Sequence, residues 1–279
     1  MFGGPMRLLI ADEVEPDEQQ ESWGWFRLAN NLGQIVSYSI GTFFSHFGIN
    51  ALMFFDCITS LGATAVGGKV IKNNNQVSTQ NKNDYKSDIQ GDTFKIFLTF
   101  ALVTGIFSLM YDMFIVAVSA STKIYFGFEG VKIFSIAMMI NTIVCAIVAV
   151  PASKKIKNPK IAIPLGILFM TIGSIVSFGA KYNLSLLYAG IFIVSIGEIF
   201  YTALATYILI RITPETKKKG TIFGIALIFQ PIGRIIGSAI AFPYIVYGSH
   251  YAITTACIGL ICLFLAALVL NPIKEALAT

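Results

Sequence analysis

Ser185–Ile210 reads SLLYAGIFIVSIGEIFYTALATYILI and carries a single charge, Glu198. As a helix rising 1.5 Å per residue it would run about 39 Å. That exceeds the ~30 Å hydrocarbon core of a bilayer. Working outward from it, seven more stretches have the same character: roughly 25–47, 49–71, 94–120, 131–150, 161–179, 220–247 and 249–271. Hydrophobic residues make up 55% of the chain and charged residues 13%, with a mean hydropathy of +0.73. Soluble domains carry about 25% charged residues, so this chain has too few charges to cover a water-facing surface. The fold class expected is an all-α polytopic membrane protein.

Polar connectors separate most of these stretches. The longest, 72–93 (KNNNQVSTQNKNDYKSDIQGDT), is rich in Asn, Gln, Ser, Thr and Asp and reads as a linker between two parts of the chain. Residues 12–24 (DEVEPDEQQESWG) read as a charged loop, and 1–11 as an apolar stub too short to span. Fourteen Lys and Arg fall on the face shared by residues 12–24, 72–93, 151–160, 211–219 and the C-terminal tail. Only Lys123, Lys132 and Lys181 fall on the other. By the positive-inside rule the first face, with the C-terminus, is cytoplasmic. The net charge of +5 is then a topology signal and no nucleic-acid partner is expected.

An internal repeat appears when the chain is slid by 200 positions. Gly24, Gly33 and Gly48 meet Gly224, Gly233 and Gly248, and Ile35 and Ile40 meet Ile235 and Ile240. Upstream, Glu15-Pro16-Asp17-Glu18 stands against Thr213-Pro214-Glu215-Thr216. Parallel repeats of six helices fit such a spacing. By that symmetry, counterparts of the helices at 94–210 would precede Met1.

The order of several short motifs resembles the major facilitator superfamily, and within it the proton-driven multidrug efflux branch. The residues are Ala11-Asp12, Pro16, Trp23-Gly24, Arg27, Asn30 and Asn31-Leu32-Gly33, then Phe55-Asp56. In the second half they are Ser195-Ile196-Gly197-Glu198, Pro214, Gly220, Gly224, Gly233 and Gly237. The resemblance implies helices four (second half) through twelve of that family: eight transmembrane helices and a half-helix. Residues 1–71 would be a partial N-terminal bundle, 72–93 a cytoplasmic linker and 94–279 a complete C-terminal six-helix bundle. It implies a secondary transporter of small solutes in a bacterial-type inner membrane, with protons as coupling ion and export by alternating access. Two alternatives stand beside it: an uptake symporter, and a non-transporting fragment. Where the branch's fifth-helix motif has Gly-Pro and Gly-Gly, this chain has Ser37-Tyr38 and Gly41-Thr42.

Ionisable residues inside spans carry the site expectations. A charge at the bilayer centre costs ~2.5–3.5 kcal/mol on insertion scales and needs a partner or a wet cavity. Glu198 and Arg234 lie near the middles of successive antiparallel stretches, which allows an ion pair: a protonation switch or a permanent structural pair. Asp112, beside Tyr111, is a second candidate for proton coupling or gating, and Asn141 a cavity hydrogen-bonder or interhelix contact. Gly33, Ser37 and Gly41, with Gly233, Gly237 and Ala241, form smooth stripes for packing, or for sliding between halves. Asp12, Arg27 and Asp56 read as structural charges, Arg27 snorkelling to the interface. The two His lie apart, the four Cys sit inside apolar runs, and no GxSxG, HExxH or Walker sequence occurs. No enzyme activity, metal or cofactor is expected.

Overall fold

A computed structural model describes residues 14–44, 54, 57–59, 61–62, 91–181, 183–213, 219–247 and 250–278. Among them run seven α-helices: α1 (Pro16–Phe44), α2 (Gly91–Phe126), α3 (Glu129–Lys155), α4 (Pro159–Phe178), α5 (Leu184–Arg211), α6 (Lys219–Tyr247) and α7 (Tyr251–Ala278). A 3-10 turn, Gly179–Lys181, follows α4. Six of these helices, α2 through α7, are long and apolar enough to cross a membrane. The eight expected spans are thus met at six places. Residues 25–44 of the stretch 25–47 lie in the more polar α1, and 45–47 and most of 49–71 lie outside the described residues, as do Asp12, Asp56 and 72–90.

Local signals explain the boundaries. Asn158 caps α4 by accepting from the Lys160 amide at 3.1 Å, and Pro159 fills the first turn, where no N–H is needed. Asn183 caps α5 in the same way, accepting from the Ser185 amide at 2.9 Å. Between α2 and α3 the chain reverses through Gly127 and Phe128 alone, because Gly127 takes φ 56°, a region only Gly enters freely. The expected loop at 12–24 is instead mostly helix. Pro16 opens α1, the amides of Glu18 and Gln19 bond the Glu15 carbonyl at 2.9 and 3.0 Å, and Gln19 reaches back to the Val14 carbonyl at 3.1 Å. Glu and Gln are good helix formers, and acidic side chains suit a helix N-terminus. Charge alone therefore did not make this segment a loop.

Packing follows small residues. On α4 and α5, a Cβ at Gly173 would lie 2.6 Å from the Val194 nitrogen, and one at Gly197 2.6 Å from the Met170 nitrogen. The two backbones meet with nothing between them, as expected where lipid supplies no hydrophobic force between helices. Gly233 and Gly237 likewise set α6 on the Gly105 and Leu109 carbonyls of α2. Among the described residues that stripe lies inside the packing of α2 on α6. Among the described residues, no atom beyond its own stretch of helix lies within 4 Å of where a Cβ at Gly33 would stand. Large aromatics fill the interior, with Phe107 stacked on Tyr201 at 3.8 Å and the Tyr201 hydroxyl donating to Thr104 at 3.1 Å. Outward faces carry apolar side chains such as Ile147, Ile235 and Phe264, the expected surface of a protein bathed in lipid. α1 packs on α3 and, less extensively, on α5.

Candidate functional site: a half-buried ion pair where α1 meets α3 and α5

Three polar residues come to the same depth from three helices. The Lys- and Arg-rich end of the bundle is marked by Pro16 on α1, Lys155 on α3 and Arg211 on α5. Measured from there at 1.5 Å per residue, Arg27, Asn141 and Glu198 lie about 16, 21 and 20 Å in, near the middle of a membrane. Arg27 Nη2 stands 3.3 Å from Glu198 Oε1, each side chain 17% exposed. Asn141 Nδ2 donates to Ser195 Oγ at 2.9 Å and reaches Glu198 Oε2 at 3.5 Å. The Ser195 hydroxyl donates on to the Ile191 carbonyl at 2.8 Å, and Thr202 donates to the Glu198 backbone carbonyl. At an effective dielectric of 20, two charges 3.3 Å apart attract by about 5 kcal/mol, comparable to what holding both in the membrane costs.

Gly24, one turn before Arg27, makes the approach possible. Its missing side chain lets α1 rest on Ser153 of α3, where a Cβ would collide with the Ser153 side chain and stand 3.2 Å from the Ala149 carbonyl. Toward the basic end two more contacts join the same helices. Gln20 Nε2 donates to the Ile156 carbonyl at 2.6 Å, and Lys154 Nζ lies 2.8 Å from Glu21 Oε1. The Lys154 ammonium, helped by a hydrogen bond from Trp25, holds the Glu21 carboxyl below its ordinary pKa. One turn beyond Arg27, Asn31 is buried, and its Nδ2 has no hydrogen-bond partner among the described residues. A buried donor left unpaired costs about 1–3 kcal/mol.

The expected partner of Glu198 is replaced. Arg234 does not pair with it, because α6 packs on α2 and not on α5, although α5 and α6 follow one another in sequence. Arg234 is exposed and makes no ion pair among the described residues. Arg27, expected to snorkel, turns inward because α1 begins at Pro16, well before its apolar stretch. Asp112 forms a separate pair across the contact of α2 and α6, accepting from Ser238, which follows Arg234 by one turn. Gly41 lies in α1, and Ser37 is exposed on it. Sequence reasoning missed Ser195, Asn31, Gln20 and the Glu21–Lys154 pair. A signal existed for two of them: Asn31 follows Gly24 and Arg27 at helical spacing, and Ser195 precedes Glu198 by three.

A membrane bundle with a paired acid and base at its centre, joining α1 to helices from later in the chain, is an arrangement suited to a moving partition. No protein of curated function matches the chain. The family model of the Major Facilitator Superfamily matches residues 1–178 of the 279. The chain is a multi-pass membrane protein and belongs to the major facilitator superfamily, a family of transporters and not of enzymes.

Proposed function

We propose that the chain is a proton-coupled secondary transporter of small solutes, with Glu198 the acid that accepts the proton and Arg27 the charge it releases. The observation that carries this reading is the 3.3 Å pair between α1 and α5 at mid-depth. With Glu198 ionised, the pair clamps α1 onto α3 and α5, and the Glu21–Lys154 and Gln20–Ile156 contacts close the basic end. A proton on the carboxylate leaves Arg27 without a counter-charge in a place where an unpaired charge is costly. α1 then parts from α5 until water or substrate meets Arg27, and access switches sides. Asn31, with its idle donor one turn away, and Asn141, freed from the carboxylate, supply neutral contacts to the solute.

Export is the direction favoured by the motif resemblance to the efflux branch, with the Lys-rich end in the cytoplasm. Uptake by symport is the second reading, favoured by Ser37-Tyr38 and Gly41-Thr42 in place of that branch's glycines and proline. The test is transport in vesicles reconstituted with the whole protein, an imposed pH gradient and a panel of amphipathic dyes. Glu198→Gln should abolish gradient-driven movement, and the sign of the gradient that drives the wild type gives the direction. Gradient-driven transport by Glu198→Gln at the wild-type rate would sink the assignment.

A further inference from the structure

Away from the ion pair, α3 and α5 enclose a groove of about 510 Å³ with an apolar lining. Ile147 and Pro151 form its α3 wall, and Phe192, Ile196 and Phe200 its α5 wall. It lies mostly off the face of α3 that α1 meets, the two approaching each other at Ile156, whose carbonyl accepts from Gln20. Gly24 meets the stripe of Ala149 and Ser153, whereas Val144, Ile147 and Pro151 follow one another at helical spacing on a different stripe. Ile147 is 70% exposed, so the groove opens outward from the bundle. From Val144 to Lys155 it extends about 16 Å along α3. That is the thickness of one leaflet, half of the ~30 Å hydrocarbon core.

The mouth at the basic end differs chemically from the walls. Lys155 lines it. Its neighbour Lys154 is engaged by Glu21, but Lys155, Lys157 and Lys160 are exposed, and no acidic residue occurs anywhere in 151–160. On α5, Tyr207 and Arg211 continue the stripe of Phe200 toward the same end, and the Arg211 guanidinium donates to the Tyr207 hydroxyl at 3.3 Å. An apolar slot one leaflet deep, topped by cations with no carboxylate partner among the described residues, has the charge and shape of one molecule class.

We propose that this groove is a binding site for an anionic phospholipid of the leaflet at the basic end. One acyl chain lies between α3 and α5, and the headgroup phosphate meets Lys155, with Lys157 and Arg211 beside it. The site is separate from solute transport and does not depend on the roles given to Glu198 and Arg27.

The experiment is native mass spectrometry of the whole protein released from detergent in the presence of phosphatidylglycerol or phosphatidylcholine of equal chain length. The wild type should retain one phosphatidylglycerol per chain and little phosphatidylcholine. Lys155→Gln, an exposed change that leaves the fold alone, should weaken phosphatidylglycerol retention about fivefold, the worth of one basic residue at an anionic surface. Ile147→Trp, at a position already facing outward, should fill the slot and weaken it as well. Equal retention of the two lipids, or phosphatidylglycerol retention unchanged in Lys155→Gln, would mean annular lipid only and overturn the proposal. Loss in Lys155→Gln with full retention in Ile147→Trp would place the headgroup on the basic surface without the groove, and overturn it too.

Discussion

Removing the charge of Glu198 alone should be worse than removing it together with Arg27. In Glu198→Gln the Arg27 guanidinium, 17% exposed at mid-depth, keeps its charge and loses its counter-ion. Breaking one side of a buried pair costs about 3–5 kcal/mol, because the remaining charge is left uncompensated. The gross attraction of about 5 kcal/mol at 3.3 Å sets the ceiling. In Arg27→Gln/Glu198→Gln no charge remains, and two amides can still share hydrogen bonds with Asn141, so the double variant should fall within about 1 kcal/mol of wild type. At about 2 °C per kcal/mol for a chain of this size, the single variant should melt about 6–10 °C lower and the double variant should recover most of that. The assay is thermal unfolding in a single detergent, with Arg234→Gln/Glu198→Gln measured alongside. Rescue by the Arg234 change instead of the Arg27 change would refute the pairing, and equal melting of all variants would refute the energetics.

The contact of α4 and α5 should tolerate no added carbon at Gly197, where a Cβ would sit 2.6 Å from the Met170 nitrogen and 2.8 Å from the Gly166 carbonyl. Overpacking costs about 1–3 kcal/mol when side chains can step aside, and backbone cannot, so Gly197→Ala should lose about 3 kcal/mol in the same unfolding assay. Gly33→Ala, which meets nothing within 4 Å among the described residues, should instead be neutral or gain up to about 1 kcal/mol from helix propensity. Glu21 should titrate below the ordinary Glu value of about 4.3 in carboxyl NMR and return to it in Lys154→Met. Since the folded pKa is the lower one, the pair's contribution is present above the ordinary value and disappears as the pH falls through the lowered one. An unchanged titration in Lys154→Met would remove Lys154 as the cause.

Much of the architecture is legible in the chain because lipid imposes a simple rule: every span must satisfy its own backbone and present apolar side chains. Runs of about 20 such residues therefore mark α2 through α7 without reference to partners. The rule is silent on α1, where Gln19, Gln20 and Glu21 are charged or polar yet helical, because their bonds go to Val14, Ile156 and Lys154. The same limit affected the small-residue stripes. Gly33 and Gly233 occupy matching places in the repeat, but among the described residues one meets nothing and the other the Gly105 carbonyl.

Composition and spacing place Glu198 near the middle of its apolar stretch, where a charge calls for a partner. They did not establish which partner. Adjacency in sequence favoured Arg234, but α6 packs on α2, and the charge is met by Arg27, 171 residues away. Hydrophobic periodicity describes one helix at a time. Between helices in lipid the apolar faces are interchangeable, so neighbour choice rests on where glycines let backbones touch and where polar groups can bond. Gly24 against Ser153 brings α1 to α3, and Gly197 against Met170 brings α5 to α4. Those contacts exist only once the chain is folded, and they alone decide that an acid on α5 faces a base on α1.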